Sequence, residues 1–219
     1  MKKTETIQII PGISADRHKT LADGVFTVAM TLLVLELSIP VIREATNQDL
    51  TATLLSMWPK FLSYALSFLI LGVFWIIHHF IFDSVRYYDT TLAWLNIMFL
   101  LFVALVPFTT SLLGEYFLEI TPTIIYGVQL LLMFIMGFSL YSYISSKKSL
   151  VDSEISPKIV KGAKKMGYLY FTILLAAIII ALFNTLISTC IYGLIVILFI
   201  IFTALGRGEH VVILPVSAK

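Results

Sequence analysis

Charge is scarce in this sequence. Only 13% of its 219 residues are Asp, Glu, Lys or Arg, while 59% are apolar and the mean hydropathy is +0.97. A soluble domain is nearer half apolar and about a quarter charged, and the polar segments here are all too short to form one. Cysteine is limited to Cys190, inside an apolar run, so no disulfide can close within one chain. The histidines are only four, His18, His78, His79 and His210. His79 and Asp83 share a helix face at i and i+4, yet the pair falls short of the fuller ligand set of a catalytic metal centre. No Ser-His-Asp grouping, phosphate-binding glycine loop or Cys-His cluster is present. No enzyme activity, cofactor or nucleic-acid partner is therefore expected. No TVGYG-like segment exists, which excludes a carbonyl-lined ion filter of that kind.

What is present is apolar sequence in long runs. A bilayer-crossing helix needs about 20 mostly apolar residues, and the chain holds six candidates, at 22–39, 60–82, 92–113, 122–144, 166–183 and 189–205. The expected fold is an all-α integral membrane protein, a single six-helix transmembrane domain over 1–219. Pro40 stops the first span, and a polar connection with Arg43, Glu44, Asn47 and Asp49 follows. Pro107 interrupts the third span, and the last two meet at a tight turn near Asn184. The N-terminal arm has no apolar core before Asp23 and does not read as a cleaved signal peptide.

Lysine and arginine placement sets the expected orientation. The N-terminal arm, the second-to-third loop, the fourth-to-fifth loop (Ser145–Lys165) and the tail hold all but two of the 15 basic residues. The exceptions, Arg43 and Lys60, lie on the other side, where the third-to-fourth loop carries only Glu115 and Glu119. The positive-inside rule then places both termini in the cytoplasm. The basic loop is read first as this topology signal, although lysines there also suit anionic lipid headgroups.

The first span stands apart from a plain lipid anchor. In RHKTLADGVFTVAMTLLVLELSIP, Arg17 to Pro40, the residues Gly24, Val28, Thr31 and Leu35 share one face at 100° per residue, flanked by Leu32 and Ile39. That face carries small or aliphatic groups and one hydroxyl. Asp23 and Glu36 sit about 120° from its centre, on either side. Ionisable residues at membrane depth are costly and seek partners, so His78 or His79 is expected to pair with Asp23 or Arg17.

Arg17-x-x-x-Leu21-Ala22-Asp23 resembles the Arg-x-x-x-Phe-Ser-Asp signature of the endolysosomal potassium channel family (transmembrane protein 175) and its bacterial relatives. Leu21 and Ala22 stand where that family has Phe and Ser. Tyr64, Ser67-Phe68, Trp75-x-x-His78, Trp94-x-Asn96 and Pro107-Phe108 extend the resemblance to about Gly114; beyond it only helix number and spacing match. The resemblance implies a bacterial single-repeat channel in the plasma membrane, a homotetramer whose first helices line a central pore for potassium and other monovalent cations. It implies a constriction at Val28, a hydroxyl layer at Thr31 and apolar layers at Leu32 and Leu35. It also implies a network of Arg17, Asp23 and His78 behind the pore helix, with Trp75 and Asn96 as buried neighbours. The alternative is a secondary transporter for a small cation or proton-coupled solute, but the first three spans do not repeat in the last three.

Overall fold

The computed structural model describes residues 15–40, 46–85, 87–151 and 157–205. The N-terminal lysines, Arg43, Glu44, Arg86 and the tail lie outside them. The described residues are almost wholly helical, with no strand beyond an isolated antiparallel bridge between Val85 and Val151. Long apolar segments leave no alternative, because only a helix satisfies its own backbone groups in lipid without a partner strand. The helices are α1 (Ala15–Leu32), α2 (Asn47–Ser56), α3 (Trp58–Asp83), α4 (Thr90–Glu115), α5 (Ile120–Ser146), α6 (Pro157–Ala181) and α7 (Thr185–Leu205). By length and composition, 17–36, α3, α4, α5 and 160–181 can each cross a membrane, and α7 adds a shorter apolar stretch at 185–199.

The helices depart from the expected spans at their ends. Hydropathy marks where lipid begins, whereas the backbone hydrogen-bond ladder runs on through polar turns. Thus α1 starts at Ala15 and α6 at Pro157, ahead of the apolar runs; proline suits a first helical turn, where its missing N–H has no partner to lose. At the other end of α1 the winding tightens into a 3-10 turn, Leu33–Glu36. The polar connection also contains α2, which sequence reading passed over. A capping box starts it: Thr46 accepts from the Asp49 amide at 3.3 Å and Asp49 accepts from the Thr46 amide at 3.1 Å. Pro107 does not break α4. Gln129 of α5 donates to the Phe102 carbonyl, one turn before it.

Helix α4 holds the bundle together, packing on α1, α3 and α5. Helices α6 and α7 attach on the far side of α5, with α7 also touching α3. Lipid tails are as apolar as leucine, so close packing and buried hydrogen bonds must hold these helices together. A buried chain of hydroxyls does so between α3, α4 and α5: Thr110 donates to Ser67 at 2.7 Å, and Ser67 lies 2.9 Å from the Tyr126 hydroxyl.

Two loops meet on the side assigned above to the cytoplasm. Asp89 caps α4 by accepting from the Leu92 amide at 2.8 Å, and its other oxygen accepts from Tyr143 at 2.6 Å and Lys147 at 2.7 Å. Burial alone would raise the Asp89 carboxyl, but these hydrogen bonds outweigh it and hold the group below the ordinary carboxylate range. The same contacts push the Lys147 ammonium upward. Because the folded carboxyl is depressed, its charge-dependent stabilisation is complete above the ordinary Asp value near 4 and fades as pH falls below it. Asp89→Asn keeps a capping oxygen but not the charge, and should cost about 2 kcal/mol at neutral pH. Thermal unfolding of the two proteins in detergent should show that gap closing on acidification.

Candidate functional site

Helix α1 has two faces. Ala22, Phe26, Ala29 and Leu33, at most 2% exposed, pack into α3 and α4, with Phe26 tilted against Phe99 at 6.0 Å between ring centres. Opposite them the face singled out above is open. Val28 is 55% exposed, Leu32 42% and Leu35 68%, and Gly24 and Thr31 are also exposed. A side-chain carbon added at Gly24 would meet nothing within 4 Å. The 3-10 turn moves Leu35 by about 60° from its α-helical bearing, yet it stays on the open side.

The Thr31 hydroxyl on this open face is bound to its own helix. It donates back to the Thr27 and Val28 carbonyls, both at 2.9 Å. With the proton turned into the helix, the oxygen lone pairs face outward and remain free to accept. Such back-bonding is common for threonine within helices and often bends them slightly, and here the helix tightens two residues later.

The polar residues behind this face form two separate pairs instead of one network. Asp23 accepts from the Trp75 indole N–H at 2.9 Å. His78 Nε2 lies 2.9 Å from Asn96 Oδ1, a buried side-chain hydrogen bond between α3 and α4. The His78 ring is stacked between Phe82 and Phe99, at 4.2 and 5.5 Å. The reason for the split is angular: Asp23 leaves α1 on the open side, whereas His78 is buried between α3 and α4. Trp75 was expected to be buried but is 39% exposed, since it follows Asp23 outward. Asn96 is fully buried, as expected. Arg17 is exposed and pairs with neither Asp23 nor His78. The residue beside it, His18, does turn inward and stacks on Tyr88 at 3.8 Å, tying the start of α1 to the Asp89 loop. Among the described residues no group of three His, Cys, Asp or Glu could hold a metal.

With this arrangement established, residues 17–107 match the model of the family described as the endosomal/lysosomal potassium channel TMEM175. The match covers this segment alone, less than half of the chain. The segment contains both faces of α1 and both polar pairs, and ends at Pro107 within α4. The family is one of ion channels and not of enzymes. A potassium channel of Chamaesiphon minutus is 40% identical over 103 residues, and one of Streptomyces collinus 38% over 103. These alignments take in 47% of this chain and 51% and 49% of the respective relatives, so the chain spans about half the length of these two curated relatives. The likeness of fold runs further. The crystal structure of a lysosomal potassium-selective channel TMEM175 homolog from Chamaesiphon minutus superposes with a TM-score of 0.76 at 27% identity, covering 89% of this chain and 98% of that one.

Proposed function

We propose that the chain is a potassium-permeable cation channel of the plasma membrane, a homotetramer in which four α1 helices surround the pore. One observation carries the reading: α1 buries one face in its own bundle and leaves open a face bearing Val28, Thr31, Leu32 and Leu35. Four copies of that face around an axis make an apolar neck at Val28, Leu32 and Leu35, and such necks control conduction by wetting and dewetting. Four Thr31 oxygens give the neck a neutral ligand layer. No carbonyl filter and no cofactor enter this account. Asp23–Trp75 and His78–Asn96 hold the back of the pore helix in place, and Arg17 anchors its entrance at the cytoplasmic surface. The six-helix domain takes in the whole chain.

Purified protein in planar bilayers should give unitary potassium current steps, and the detergent particle should have fourfold symmetry. Macroscopic flux without unitary steps would instead indicate a transporter. Both termini are cytoplasmic in this reading, because the basic residues crowd that side. In a Cys190→Ser background, Glu119→Cys should react with an impermeant thiol reagent added outside intact cells and Ser146→Cys should not. The opposite labelling would invert the topology.

A further inference from the structure

Basic residues on both sides of this bundle face carboxylates. Lys19 lies 4.0 Å from Asp83, Lys147 lies 2.7 Å from Asp89, and Lys60 is paired with Glu115. Lys161, Lys164 and Lys165 of α6 differ: all three are exposed, and none pairs with a carboxylate among the described residues. Their spacing places them on one stripe of α6. At 100° per residue Lys161, Lys164 and Lys165 lie within about 40–60° of one line, and Tyr168, Leu175 and Ile179 continue it deeper into the span, each exposed. The opposite side of the helix is the buried one, with Gly167, Leu174 and Ala177 against its neighbours. Gly167 sits so close to Phe138 that an added side-chain carbon would lie 2.3 Å from its ring. Helix α6 packs on α5 and α7, and α1 packs on α3 and α4. A pore lined by α1 therefore leaves α6 at the periphery.

We propose that Lys161, Lys164 and Lys165 bind anionic lipid headgroups of the inner leaflet, a step that rests on the orientation and pore position given under Proposed function. The chemistry is complementary at each depth. The apolar stripe of Leu175 and Ile179 meets acyl chains, and Tyr168, 64% exposed, sits where aromatic side chains favour the membrane–water boundary. The lysine stems lie along that boundary and carry their ammonium groups to the phosphates. Three cations with no carboxylate partner among the described residues would otherwise repel one another along this stripe, and anionic headgroups neutralise them.

The test is native mass spectrometry of the full chain in neutral detergent, titrated with phosphatidylglycerol or phosphatidylcholine. Wild-type protein should bind phosphatidylglycerol preferentially. A combined Lys161→Gln, Lys164→Gln, Lys165→Gln variant should bind it on the order of 100-fold more weakly, at roughly fivefold per lysine, with phosphatidylcholine binding unchanged. The corresponding triple arginine variant should retain the preference, which separates loss of charge from misfolding. Phosphatidylglycerol binding equal in the glutamine variant and wild type would overturn the proposal. So would displacement of the bound lipid by millimolar inorganic phosphate, which would make a soluble anion the ligand. The assay reads bound lipid and no ion flux, so a preparation that carries no current but keeps the lysine-dependent preference contradicts the channel reading while supporting this surface.

Discussion

Replacing Val28 or Leu35 with Asn should increase single-channel conductance severalfold and weaken discrimination between potassium and sodium. The argument is one of wetting. A ring of aliphatic side chains offers water no hydrogen bonds, so a narrow neck of this kind stays dry for part of the time. An amide at the same position gives each subunit a donor and an acceptor facing the axis, and the neck fills. Both side chains are open in the single chain, at 55% and 68%, so the exchange disturbs no packing within the bundle. Thr31→Val acts in the opposite sense on selectivity. In the proposed tetramer it keeps the shape but removes four oxygens, each with its proton already turned into the helix. Potassium over sodium preference should fall by roughly tenfold, which corresponds to about 1.4 kcal/mol distributed over four ligands. Recordings of correctly assembled protein in planar bilayers check both effects, through conductance for the asparagine variants and reversal potential for valine.

Gly127→Ala should be among the most destabilising single substitutions in the chain. Gly127 lies on α5 where α6 and α7 close in, and an added carbon there would lie 2.1 Å from the Tyr192 hydroxyl oxygen and 2.7 Å from Ile178. Tyr192 is fully buried and its hydroxyl reaches the Thr123 carbonyl at 3.3 Å, so it has little room to withdraw. Overpacking a close-fitted interior typically costs 1–3 kcal/mol, and the upper end, about 3 kcal/mol, is expected here. Tyr192→Phe removes the nearest obstructing atom and should partly rescue Gly127→Ala. The cost of the double variant would then be less than the sum of the singles, the sign of coupling expected for residues in contact. Detergent melting of the four proteins measures that difference.

The extent to which these features are legible in the sequence depends on whether the cause is local. Long apolar runs announce the spans, and helical periodicity alone selects Gly24, Val28, Thr31 and Leu35 as one face, all of them open in the structure. Helix α2 is less legible: its ten residues carry no apolar run, and its signal was the Thr46-x-x-Asp49 capping box. The start of α1 at Ala15 is hidden for a related reason, because Arg17, His18 and Lys19 interrupt hydropathy without interrupting the helix. The pairing of Asp23 with Trp75 spans 52 positions and depends on how α1 and α3 are rotated against each other. Such rotation is set by packing, here Phe26 among His78 and Phe99, and no periodicity within either helix encodes it. The same holds for Asp89 with Tyr143 and Lys147. Residue types signal that buried polar groups need partners, and tertiary packing decides which.

Accessibility of α1 from the ion pathway tests the central claim most directly. In a Cys190→Ser background, Val28→Cys places a thiol on the open face and Ala29→Cys places one on the buried face, 2% exposed at present. A small charged, water-soluble thiol reagent should reduce the unitary current of Val28→Cys channels within the recording and leave Ala29→Cys channels unaffected. Unmodified current through Val28→Cys channels that have assembled normally, with cysteines on another helix responding in its place, would contradict the claim that α1 lines the pore.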